Sequence, residues 1–168
     1  MKKQWETLEA WLKINNPSLL ADLNPPASEA DIQKLEQELG VKLPTDFVEC
    51  LKVHNGQRGG ASWLFSDSEF LSSQRILDEW AIWKDLLDGG DFDGAEVEPG
   101  TGIQPIWWSK KWIPFTYNGA GDHLCLDLDP CCGGRVGQII TLWHDDGARK
   151  KKADSFALWF AEFVDKTA

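Results

Sequence analysis

Trp112-Ile113-Pro114-Phe115-Thr116-Tyr117-Asn118-Gly119-Ala120-Gly121-Asp122-His123-Leu124-Cys125-Leu126-Asp127-Leu128 is the stretch on which the fold turns. Two strand-like runs, 112–117 and 123–128, flank a Gly-rich turn segment, which predicts a hairpin. In the second run Leu124, Leu126 and Leu128 alternate with Cys125, Asp127 and Asp129, so the leucines are expected to face the core and the acids the other side. Similar runs at 103–108 and 137–144, set apart by Gly, Asp and Pro, extend the pair into an antiparallel meander.

Working outward, the period changes from two to that of a helix. Trp5, Leu8, Trp11 and Leu12 predict a helix over 3–14, stopped by Asn15-Asn16-Pro17 and followed by a loop over 19–26. Ser28 and Asp31 have the spacing of a capping box before Ile32, Leu35 and Leu39, with Gly40 placed as the C-terminal cap. Pro44 introduces a third helix with Phe47, Cys50, Leu51 and His54 on one face, broken by Asn55-Gly56. Short strands are expected at 61–65 and 69–71. Ser72 or Ser73 then caps a helix striped by Ile76, Trp80, Trp83 and Leu87. A last helix, capped by Asp154 or Ser155, carries Phe156, Trp159, Phe160 and Phe163 on the face that must bury. Helices precede strands instead of alternating with them. The expected class is α+β, with N-terminal helices and a C-terminal helix packed on a mostly antiparallel sheet, in one domain over 1–168.

Charge narrows the function. Twenty-seven acids against seventeen bases leave a net charge of −10, which repels phosphate backbones and anionic lipid, so nucleic acid and membrane are poor partners. Spread over roughly 8,300 Å² of folded surface, that charge matters for recognition only where it clusters. It clusters at Asp85, Asp88, Asp91, Asp93, Glu96 and Glu98, a segment without Lys or Arg. It lies largely in the longest region without a predicted element, and a basic protein is its natural complement. No secretory signal or spanning run is present, so a cytoplasmic protein is expected. Cys50, Cys125, Cys131 and Cys132 match neither a disulfide framework nor a zinc pattern. Of the ten tryptophans, Trp5, Trp11, Trp80, Trp83 and Trp159 fall on helical stripes and read as core. Adjacent Trp107 and Trp108 on a strand would point to opposite sides, leaving one exposed as an aromatic anchor.

Candidate chemistry is thin. Asp122-His123 lacks an activated Ser or Cys and an oxyanion element. Asp127 and Asp129 share one side of their strand, and Asp122, Asp145 and Asp146 could approach them, but no calcium loop is present and turn or cap roles lead. The Asn118–Asp122 turn lacks the Lys-Ser/Thr of a phosphate loop, and the basic run 149–152 reads as a solvated turn. No cofactor is implied.

The order of several short motifs resembles a known family. Leu43-Pro44-Thr45-Asp46-Phe47, then His54-Asn55-Gly56, Trp112-Ile113-Pro114-Phe115, Asn118–Asp122, Cys125-Leu126-Asp127 and Trp143-His144-Asp145 are similar to the SUKH superfamily of yeast cell-wall assembly regulators and bacterial relatives. The likeness runs from about Trp5 to Phe163. It implies the same α+β fold and no catalytic centre. It also implies a shared scaffold at Pro44, Asn55, Gly56, Trp112, Pro114, Gly119, Gly121, Asp122 and Asp127. Many bacterial members resemble immunity proteins that neutralise a cognate polymorphic or contact-dependent toxin, often a nuclease. A basic toxin domain is therefore the expected partner, met by Asp85–Glu98 and by Trp107 or Trp108. The alternative is a regulatory interaction module, and a carboxylate-dependent hydrolase ranks last. Oligomeric state is left open.

Overall fold

The structure, a computed structural model, describes residues 1–168. Helix α1 (Lys2–Asn15) buries Trp5, Leu8 and Leu12. Asn16 ends it and also starts α2 (Pro17–Asp22), its side chain accepting from Leu19 N–H at 3.2 Å with Pro17 at the first helical position. The loop expected over 19–26 is therefore partly helical, because a capping Asn followed by Pro starts a helix as readily as it stops one. Helix α3 (Glu29–Leu39) has the expected reciprocal capping box between Ser28 and Asp31 and ends on Gly40 at φ 68°. Helix α4 (Thr45–Leu51) buries Phe47, Cys50 and Leu51.

No strand forms over 61–65. The buried amide of Gln57 takes the backbone bonds that a neighbouring strand would, accepting from Leu64 N–H and Phe70 N–H at 2.9 and 3.0 Å. It donates to the Asp22 carboxylate and to Ser62 O. Strand β1 (Glu69–Phe70) leads into α5 (Ser73–Asp88), capped by Ser72 and buried along Ile76, Leu77, Trp80 and Trp83. The long stretch after α5, for which the sequence predicts no element, holds a short strand, β2 (Glu98–Pro99).

Strands β3 (Trp112–Pro114), β4 (Thr116–Tyr117), β5 (His123–Asp127), β6 (Gln138–Leu142), β7 (Ala148–Arg149) and β8 (Lys151–Ala153) precede α6 (Phe156–Thr167). The main sheet runs β3-β5-β6-β8 with antiparallel neighbours, while β1 pairs with β4, and β2 pairs in parallel with β7. Pro114 is tolerated because β3 is an edge strand.

Three further expectations are corrected. Residues 103–108 run through bends and irregular backbone, not a strand, and the Trp107 carbonyl is taken by the Arg149 guanidinium. The basic run 149–152 is no solvated turn, since Arg149 is fully buried and Lys151–Ala153 is a sheet edge. The alternation in β5 does not separate core from solvent. Leu126, Cys125 and Asp127 are all fully buried, because α5 covers one face, where Trp83 meets His123, and α6 approaches the other beside Leu124. Helices on both faces leave no wet side for Asp127.

Candidate functional site

The acidic segment begins in the last turns of α5 and is held by one aromatic side chain. Phe92 packs on Trp83 at 5.7 Å and on Trp107 at 6.2 Å, and the Arg149 guanidinium lies over Trp107 at 5.0 Å. On the inner side Trp83 stacks on Trp108 at 6.2 Å. A column of rings thus runs from the core outward, ending under the turn at 91–94. Asp91 and Asp93 flank Phe92 and point to solvent, and Asp85, Asp88, Glu96 and Glu98 are exposed as well.

Only Asp88 in this ledge meets a base. Lys84 at 2.6 Å and Lys110 at 3.3 Å hold its carboxyl below the usual range. The other five carboxylates have no Lys, Arg or His within ion-pair distance. Ile82 and Leu86, one turn apart on the outer side of α5, are 54% and 37% exposed and add apolar area beside Asp85. Sequence reasoning passed over this pair, although both residues lie off the buried stripe of the helix. The expected tryptophan anchors are corrected. Trp108 is 2% exposed, enclosed by Trp80 and Trp83, and Trp107 is half-buried between Phe92 and Arg149. Neither projects.

The motif residues are spent on holding the fold. Asn55 accepts from Ser73 N–H at 2.8 Å and donates to the Ser73 hydroxyl, fixing the start of α5. Gly56, at φ 68°, lies so close to the Ser72 backbone that a Cβ would overlap it. Pro44 precedes α4 and lies against Gly137. In the Asn118–Asp122 turn the Asn118 side-chain Oδ1 accepts from Ala120 and Asp122 N–H, and its Nδ2–H donates to the Asp122 carboxylate. Gly119 and Gly121 pass within 3.1 Å of Trp63 and His144 when a Cβ is imagined on each.

Asp127 sits at the centre of a buried polar knot. Its carboxylate accepts from Trp112 Nε1–H at 3.1 Å, Asp129 N–H at 2.9 Å and Gln138 Nε2–H at 2.8 Å. Burial raises its pKa despite these donors. Asp122 lies at the opposite end of β5, roughly 17 Å along the strand at about 3.4 Å per residue, so Asp122, Asp127 and Asp129 do not converge on a cation. Asp122 instead accepts from His144 N–H at 3.0 Å and faces His144 Nδ1 at 2.8 Å, with Asp145 nearby. Its oxygens serve the turn. Asp122 and His123 form no dyad, because His123 Nδ1 meets Thr116 O at 2.7 Å and Nε2 stands 3.9 Å from Glu79.

No helix is long and apolar enough to cross a membrane. The sequence profile of the SMI1 / KNR4 family (SUKH-1) matches residues 26–162. Among curated proteins, the cell wall assembly regulator SMI1 of Saccharomyces cerevisiae is 24% identical, over 95% of this chain and 39% of its own length. The cell wall biosynthesis/cell cycle regulator smi1 of Schizosaccharomyces pombe is 27% identical, over 96% of this chain and 35% of its own. F-box only protein 3 of Bos taurus is 34% identical, over 98% of this chain and 34% of its own. The chain spans between a third and two fifths of the length of these relatives.

Proposed function

This chain belongs to the SMI1 / KNR4 family (SUKH-1), and from that premise we propose that it is a non-catalytic regulatory module that binds a basic partner protein through the ledge at residues 85–98. The observation that carries the reading is the ledge itself, with six exposed acids of which only Asp88 is paired. Several relatives are named as regulators of cell wall assembly or biosynthesis, which favours regulation over chemistry. The motif carboxylates Asp122 and Asp127 are occupied by internal hydrogen bonds, as a scaffold role requires.

Clustered charge acts mainly on encounter, raising association rates by roughly 10 to 10³-fold at low salt. The test is association kinetics with the basic partner recovered by affinity purification of the wild-type chain, across about 50 to 500 mM salt. The wild type is expected to slow steeply with salt, and the triple variant Asp91→Lys, Asp93→Lys, Glu96→Lys to associate slowly with a flat salt dependence. Rates indifferent to both changes, or a partner whose contact surface is acidic, refute the reading.

The same ledge supports a second reading, an immunity protein that neutralises a toxin, because a nuclease must be basic to hold its substrate. Growth under co-expression separates the two. Rescue from a basic toxin domain, lost in the triple variant, selects immunity. A growth or cell-wall defect on depletion, with no toxin present, selects regulation.

A further inference from the structure

The end of α5 is built against its own electrostatics. Gly90, at φ 80°, turns the chain back so that its N–H donates to Leu87 O and Asp91 N–H donates to Leu86 O, both at 3.1 Å, the paired bonds of a Schellman cap. The cap plants Asp91 on the terminus, next to Asp85 and Asp88 of the last turn. A helix C-terminus carries partial negative charge and is ordinarily complemented by Lys or Arg, yet the last turn of α5 contains no base. Two lysines come near from outside it. Lys84 and Lys110 both reach Asp88, and Lys84 is close enough to feel Asp85 as well, which leaves four carboxylates, with Asp93, against two ammonium groups around one negative helix end.

The same helix shows an uncovered apolar pair beside those charges. Ile82 and Leu86 are exposed, stand outside the hydrophobic core, and as i and i+4 residues have Cβ atoms about 6 Å apart on one side of α5. One turn before Ile82 on the same line is the exposed Asp78, which accepts from the Gln74 amide at 2.9 Å. Lys34 of the neighbouring α3 is taken up by Gln74 and Glu38, at 3.3 and 3.8 Å. Along this line the surface therefore reads acid, aliphatic, aliphatic, acid, from Asp78 through Ile82 and Leu86 to the capping Asp91.

We infer that this line is the docking site for a basic amphipathic helix of the partner protein, an inference that deepens the reading of the ledge and rests on it. Two large aliphatic side chains of that helix, one turn apart, lie against Ile82 and Leu86, while flanking Lys or Arg side chains meet Asp85 and Asp91 and supply the positive charge that the end of α5 lacks. A helix suits the site better than an extended strand. The backbone groups of α5 are bonded within the helix and its cap and offer no edge to pair with, whereas its i, i+4 ridge can interdigitate with the ridge of a second helix. Like charge disfavours a second copy of the same face, and anionic lipid for the same reason.

The test pans two displayed peptide libraries on the full chain. One randomises a single face of an Ala-rich helical frame. The other randomises the same number of positions in a frame interrupted by Pro and Gly, so that no helix forms. The helical library is expected to yield peptides with Leu, Ile or Met one turn apart, flanked by Lys or Arg. Their affinity should fall at least about tenfold on combining Ile82→Ser with Leu86→Ser, with the salt dependence kept. Combining Asp85→Asn with Asp91→Asn should weaken binding and flatten its salt dependence. Circular dichroism and thermal melts establish that both double variants, which alter only exposed side chains, are folded. Basic peptides enriched equally from the two libraries, or binding indifferent to Ile82→Ser with Leu86→Ser, overturn the helix and leave the ledge reading standing. No enrichment from the helical library overturns the inference alone, and enrichment of acidic peptides overturns both.

Discussion

His123 offers a perturbation whose size follows from the structure. Its ring is 4% exposed, stacked on Tyr117 and edge-on to Trp83, and no partner meets Nε2. Burial opposes the imidazolium and lowers the pKa from 6.5 to about 4. A base with a depressed folded value binds protons more readily when unfolded. Stability is therefore full above pH 6.5 and is lost as pH falls from there to about 4. With those two values the loss is about 1 kcal/mol at pH 6 and about 2 kcal/mol at pH 5.

The assay is urea unfolding followed by tryptophan fluorescence at pH 7, 6 and 5, for wild type and His123→Asn. The variant keeps a donor for the Thr116 carbonyl but cannot titrate. Other groups act in the same range with the sign opposite to that of His123. Asp127, raised by burial, favours the fold as pH falls, and His144, raised by Asp122, loses its contribution as pH rises. The difference between the two proteins removes them. His123→Asn should begin less stable at pH 7 and lose about 2 kcal/mol less than wild type on going to pH 5. Equal losses would refute the argument, and would mean that Glu79, 3.9 Å from Nε2, closes on the charged ring and cancels the burial cost.

Other outcomes are equally definite. Gly56→Ala combines a left-handed φ with backbone overlap at Ser72 and should cost about 3 kcal/mol or more in urea unfolding. Arg149→Met removes the donors to three backbone carbonyls, those of Trp107, Asp146 and Ala148. It should cost about 3 to 5 kcal/mol, and a loss under about 1 kcal/mol would show that water or a local shift replaces the guanidinium. Cys132 is exposed, whereas burial pushes the thiols of Cys50 and Cys125 far up. A thiol reagent should label Cys132 in the native protein and reach Cys50 and Cys125 only at the rate of global unfolding.

Local chemistry explains what could be read in the sequence. The Ser28–Asp31 capping box, the Gly40 terminus, the stripes of α1, α3, α5 and α6, and the strands β5 and β6 depend on residues a few positions apart. The failures share a different cause. At 61–65 and 103–108 the strand-like pattern is real, but the backbone is satisfied by side chains from elsewhere, Gln57 for the first and Arg149 for the second. Gln57 lies seven positions from Leu64 and Arg149 42 positions from Trp107, and nothing within either run announces its partner. Asp127 misled for a related reason, since alternation assumes one wet face and α5 removes it. At the candidate site the acidic cluster was legible as a count of charges. The ring column that supports it was not, because Trp83, Phe92 and Trp107 meet only in three dimensions.

Arg149 reaches from β7 to the carbonyl of Trp107, and Trp107 in turn seats Phe92. The ledge is thus bolted to the sheet through a buried cation instead of hanging from it as a tether. Its shape is set before any partner arrives, so little conformational entropy remains to be surrendered on capture. The two also stand or fall together, and a ligand gripping the ledge should therefore raise the melting temperature of the entire molecule, not merely shelter one loop from solvent exchange.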